Sequence, residues 1–188
     1  MQRINFSAKR FKFAVKPSNV RAFEVWVVKE FMSESKAEFY TLLVQQAKAL
    51  IEDEPDLIAN MANLSSLLFN EMPDLNWSGF YILRDDVLVL GPFQGKVACV
   101  RIPVGKGVCG TAVATGEIQL VKDVHEFPGH IACDAASNSE IVLPVRHNGK
   151  IIAVLDIDSP SLARFDLDDQ QGLAELVQLF ERHLARTL

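Results

Sequence analysis

The sequence predicts an α+β fold: a single domain with one antiparallel sheet of about six strands, and helices from its two ends packed on one face. Three observations carry this. Segments of helical period stand early in the chain and at its end. Between them run short alternating stretches rich in aromatic and β-branched residues and joined by turn residues, in meander order. An Asn148-Gly149 pair between two apolar stretches marks a hairpin, which requires antiparallel pairing. A length of 188 residues fits one domain.

The elements follow in order. "MSESKAEFYTLLVQQAKALIEDEP", residues 32–55, reads as a helix capped by Ser33 or Ser35, with Phe39, Leu42, Leu43, Ala47 and Leu50 at helical spacing. Pro55 ends it. Asp56 caps a second helix through about Met72, with Leu57, Met61, Leu64, Leu67 and Leu68 turned inward. "NWSGFYILR" alternates as a strand, Asp85-Asp86 turns the chain, and "VLVLGPF" and "VACVRIPV" are further strands. "GKGVCGTAVATGE" is a short helix bounded by glycines, and "IQLV" a strand. Residues 122–139 form a polar loop, long enough in a compact domain to suggest function. "EIVLPVRHNGKIIAVLDIDSP" is the hairpin, and "FDLDDQQGLAELVQLFERHLARTL" an amphipathic helix capped by Asp166.

Composition narrows the class. Hydrophobic residues make up 49 % and charged residues 23 %, as in a globular domain with a sizeable core. No apolar run reaches the roughly 18 residues that span a bilayer, and no secretory signal is seen. Three cysteines are too few for a disulfide scaffold, which points to a reducing, cytoplasmic setting. Residues 1–31 carry a net charge of +5 and residues 32–188 a net of −10. The acidic body is unsuited to nucleic acid, whose affinity comes from neutralising phosphates. The basic, aperiodic residues 1–31 read as an extension outside the fold, with Met32 as a natural start and the domain at 32–188.

Four features can carry chemistry. "GKGVCG" matches a dinucleotide fingerprint, but the acids after it come too early and the surrounding hairpins are antiparallel, so the glycines make tight turns and free amides at a helix start instead. Cys99, Cys109 and Cys133 lack a Cys-x-x-Cys knuckle, and His130-x-x-Cys133 is at most half a zinc site. Cys99, inside "VACVRI", reads as a buried small hydrophobe. Cys109 stands at a helix N-terminus, and Cys133, in a polar loop, is the thiol least expected to be buried. "IIAVLDIDS" places Ile152, Val154, Asp156 and Asp158 on one strand face. A two-residue hairpin loop pairs Glu140 with Ile157 and turns it away from the aspartates, whereas a three-residue loop with a bulge pairs it with Asp156. Pro144 hints at irregular register. Trp77 and Tyr81 share a face four residues apart, as core or as the wall of an apolar pocket.

Taken together, "NWSGFY", "GPFQGKVACVRIPVGKGVCGTAV", "HIACDA", "NSEIVLPV" and "VLDIDSP" resemble the free methionine-(R)-sulfoxide reductase family, built on a GAF domain, over about residues 32–188. The resemblance implies that Cys133 attacks the sulfoxide sulfur and becomes a sulfenic acid. Cys99 or Cys109 then condenses with it to a disulfide that thioredoxin reduces. It implies that Trp77 and Tyr81 surround the S-methyl end, and that Glu140, Asp156 and Asp158 meet the sulfoxide and the α-ammonium. No cofactor and no metal are implied, and a homodimer stays open. A stand-alone GAF module that binds a small ligand or senses redox state, without catalysis, is the competing expectation.

Overall fold

The computed structural model describes residues 35–131 and 134–188. The expected extension, residues 1–31, and Cys133 lie outside the described residues.

Helix α1, Lys36–Ile51, starts at Ser35. The Ser35 hydroxyl accepts from the Glu38 amide while Glu38 accepts from the Ser35 amide, a reciprocal capping box. Its inward stripe is Tyr40, Leu43, Ala47 and Ile51, and the expected Leu42 and Leu50 are exposed. Two stripes compete in this helix, and Tyr40 decides between them. Its ring lies flat on Gly172, where any Cβ would overlap it, and its hydroxyl donates to buried Asp169 at 2.9 Å. Helix α2, Leu57–Glu71, is capped by Asp56, which accepts from the Ala59 amide at 2.8 Å. Met61, Leu64 and Leu68 are buried as expected, with Leu57 and Leu67 packed at the margin.

The sheet consists of β1 (Trp77–Arg84), β2 (Val87–Gly95), β3 (Arg101–Pro103), β4 (Gln119–Val121), β5 (Ser139–His147) and β6 (Lys150–Ser159). Helix α3, Gly107–Thr115, lies between β3 and β4, and α4, Leu167–Thr187, ends the chain behind an Asp166 capping box. The strand order is β3-β2-β1-β6-β5-β4 with every neighbouring pair antiparallel. Among the described residues that arrangement leaves no parallel βαβ unit for a dinucleotide.

"VACVRIPV" is shorter as a strand than its alternation predicts. Only Arg101–Pro103 forms strand against β2, with Val100 O accepting one further bond from Leu90 N of β2 at 3.0 Å, while the Val97 and Val100 residues are 87 % and 63 % exposed. The preceding residues leave the sheet edge as a rim, because their carbonyls are claimed from within: the Trp77 indole donates to Lys96 O at 3.1 Å and the Tyr81 hydroxyl to Cys99 O at 3.0 Å.

The sheet separates two apolar clusters. On one face α1, α2 and α4 cover Phe80, Ile141, Leu143, Val145, Ala153, Leu155 and Ile157. On the other, α3 and the loops cover Trp77, Tyr81, Ile102, Val108, Cys109, Val142 and Val154. The first layer is a thick hydrophobic core; the second is shallow and leaves a pocket.

Candidate functional site

The pocket is laid out by strand register. In β6, Val154, Asp156 and Asp158 alternate onto the α3 side as the sequence predicts, with Asp158 at the end where the strand leaves the core. Neighbouring β1 sets Trp77 opposite Asp158, Gly79 opposite Asp156 and Tyr81 opposite Val154. Gly79 keeps its place bare for the Trp77 ring: a Cβ there would lie 2.7 Å from Cη2 of Trp77 and overlap Phe93. Trp77 stacks between Tyr81 and Phe93, with ring centroids 5.8 and 5.3 Å apart.

Glu140 arrives by a route that neither expected hairpin describes. The loop is the two-residue Asn148-Gly149, since His147 pairs with Lys150. An irregularity at Val145/Arg146 then shifts the register by one, because Val145 pairs with Ala153 whereas Arg146 pairs with Ile151. Glu140 therefore faces Asp158, neither Ile157 nor Asp156. The extra residue, Ile152, leaves the aspartate face and packs against the helix-side core.

Trp77, Tyr81, Cys109, Glu140, Asp156 and Asp158 thus line one pocket of about 520 Å³, open mouth included. His130, Ile131, Asp134 and Ser137 join them from the polar loop. His130 reads from the sequence only as half a zinc site, and Ile131, Asp134 and Ser137 were missed as individuals, although the length and polarity of their loop were a signal. Asn76, just before β1, ties that loop down by donating to Ser137 at 2.9 Å and to Asp134 at 3.3 Å. Lys96 on the rim reaches Asp134 at 3.5 Å. Cys99 stands half-buried on that rim, behind the hydroxyl of Tyr81.

The electrostatics are one-sided. No Lys or Arg lines the pocket among the described residues. Burial, then the neighbouring aspartates, pushes the Glu140 carboxyl well above the usual carboxylate range. Burial and Asp156 do the same for Asp158. Asp156 is raised only to about 6, because burial is opposed by hydrogen bonds from Cys109, Glu140 and the backbone. Burial and the same carboxylates push the Cys109 thiol up as well. The site therefore sets two carboxyls of raised proton affinity beside Asp156, which is raised less: a candidate proton donor and a candidate cation acceptor within one aromatic-walled cleft.

Above it stands the start of α3. Lys106 caps that helix with no side-chain hydrogen bond, and Gly107, Val108 and Cys109 of the first turn line the pocket. Such first-turn amides favour a carboxylate or other anion.

The GAF domain family matches residues 59–185. The free methionine-R-sulfoxide reductase of Escherichia coli is 58 % identical over 153 residues, covering 81 % of this chain and 93 % of that one. The chain belongs to the free methionine-(R)-sulfoxide reductase family. The fold of these reductases extends the match. The enzyme from Neisseria meningitidis, solved in complex with its substrate, superposes with a TM-score of 0.78 at 43 % identity, covering 81 % of this chain and 93 % of that one. The substrate complex of the Staphylococcus aureus fRMsr superposes with a TM-score of 0.75 at 55 % identity, covering 78 % and 95 %.

Proposed function

We propose that this protein reduces free L-methionine (R)-sulfoxide to methionine. The observation that carries the proposal is the pocket itself: Glu140, Asp156 and Asp158 converge beside Trp77 and Tyr81 with no Lys or Arg among the described lining residues. A free amino acid supplies what such a pocket lacks, an ammonium for Asp156. The first-turn amides of α3 suit its carboxylate. The stacked Trp77 and Tyr81 rings suit the S-methyl end.

In this reading the Cys133 thiolate attacks the sulfoxide sulfur. Glu140 or Asp158, the two carboxyls whose proton affinity burial raises, gives its proton to the sulfoxide oxygen. The new S–S bond breaks as that hydroxyl passes to the Cys133 sulfur, so methionine leaves and Cys133 becomes a sulfenic acid. A second thiol then attacks that sulfur, water departs, and a disulfide forms. Cys99 takes this role before Cys109. Cys99 is disulfide-bonded on the rim, while Cys109 is a free, buried thiol whose pKa burial raises. A protein dithiol of the thioredoxin class restores both thiols by exchange, in the reducing cytoplasm.

The decisive experiment is turnover of free methionine (R)-sulfoxide by the full chain with a dithiol reductant, beside the (S) epimer and the N-acetylated (R) form. Methionine release from the free (R) form alone supports the reading, and comparable kcat/KM for the N-acetylated compound refutes it. Cys133→Ser is expected to abolish release, and parent-like turnover in that variant would remove the nucleophile assignment. We also place the domain at residues 32–188. A chain starting at Met32 is then expected to keep its activity and Tm, and a large loss of either would refute that boundary.

A further inference from the structure

Cys109 stands second to Cys99 for the resolving step, yet its position is specific. Its Sγ lies 4.0 Å from Glu140 Oε1, and one ligand atom each from Cys109, Glu140 and Asp156 falls within 4.8 Å of the others. The three residues are 3 %, 6 % and 6 % exposed. A divalent ion about 2.3 Å from a thiolate and about 2.0–2.2 Å from carboxylate oxygens holds its ligands about 3.5 Å apart, so small adjustments would close the triangle. A second observation is independent of that spacing. Asp156 Oδ1 is shielded from solvent and has no hydrogen-bond partner. A buried acceptor left unmet is costly, and in a pocket lined by no Lys or Arg what it lacks is a donor or a cation.

We propose that Cys109, Glu140 and Asp156 form a binding site for a borderline-soft divalent cation, with Zn²⁺ as its natural occupant. Sulfur with two carboxylates suits zinc better than magnesium or calcium, which favour all-oxygen sites. Three protein ligands facing an open cavity make an accessible site rather than a closed structural one. On binding, the ion displaces the thiol and carboxyl protons to solvent. The occupied site withdraws two of the three carboxyls from the pocket, so the ion acts as an inhibitor. That consequence rests on the reductase reading, whereas the binding does not.

The test uses the full chain with Cys99→Ser and Cys133→Ser, which leaves Cys109 as its only thiol. Titration with Cd²⁺, a probe whose thiolate complexes absorb in the ultraviolet, should give a saturable one-to-one band that Zn²⁺ displaces. Adding Glu140→Gln or Asp156→Asn should weaken binding by about tenfold or more, and adding Cys109→Ser should remove the band. In the unaltered chain Zn²⁺ should raise Tm in a concentration-dependent way. Absence of the band, a band indifferent to both carboxamide variants, or a band that survives Cys109→Ser overturns the site. None of these readouts depends on turnover, so failure here is distinguishable from failure of the reductase assignment.

Discussion

Glu140 and Asp156 are chemically alike and differ in environment. Glu140 is pushed well above the ordinary carboxylate range by burial and by two aspartates, and Asp156 is brought back toward ionisation by the hydrogen bonds it receives. Their replacements should therefore fail differently. In the proposed reaction, with Glu140 as the donor, Glu140→Gln keeps the shape and removes the proton, so kcat for sulfoxide reduction should fall by roughly 10²–10⁴ with little change in KM, whereas an unchanged kcat would assign the donor role to Asp158. In the proposed binding mode Asp156→Asn removes the ammonium's partner, so KM should rise. In the parent, KM should also climb as pH falls below about 6, where Asp156 takes up a proton. That climb should vanish in Asp156→Asn. Steady-state kinetics between pH 5 and 8, read as separate kcat and KM profiles, checks both expectations.

The hairpin decides whether these carboxyls meet. Alternation alone placed Asp156 and Asp158 on one face, because a strand's period of two needs no further information. Glu140 was not legible, because its face depends on one extra residue in the partner strand, and both Ile151 and Ile152 fit either side. Pro144 was the only hint, and it stands beside the irregularity. The stripe of α1 was illegible for a related reason: leucines at 42 and 50 are as apolar as the residues chosen, and the choice lay with Tyr40 and the distant Gly172. Deletion of Ile152 should return Glu140 to register with Ile157 and drive a carboxyl into the helix-side core. We expect a large fall in Tm together with complete loss of reductase activity. Preserved turnover would show that the bulge does not place the site.

Over the whole molecule the two faces of the sheet have opposite energetics. The helix side stabilises, and there Leu64→Ala should cost about 2–5 kcal/mol by denaturant unfolding. The pocket side is destabilising once its acids ionise. A carboxyl whose folded pKa exceeds its ordinary value binds more protons folded than unfolded, so stability is greatest below the ordinary pKa and declines as pH rises through the folded one. For Asp156, raised from 3.8 to about 6, the decline is about 3 kcal/mol between those values, and Glu140 and Asp158 carry it to higher pH. Asp166 acts in the opposite sense: its hydrogen bond from Lys36 lowers it to about 2, but the pair is exposed and its effect lies below pH 4. Asp156→Asn should accordingly raise stability at pH 7 and flatten the profile between pH 4 and 6. A parent whose urea midpoint rises across that interval would contradict this.

The rim that carries Cys99 is fastened through Lys96 O and Cys99 O, main-chain atoms that every residue type possesses. Its position is therefore indifferent to the identity of the side chains it displays. Val97 and Val100, both exposed, can therefore be replaced without unfastening the rim, and Cys99 between them keeps its place beside the pocket.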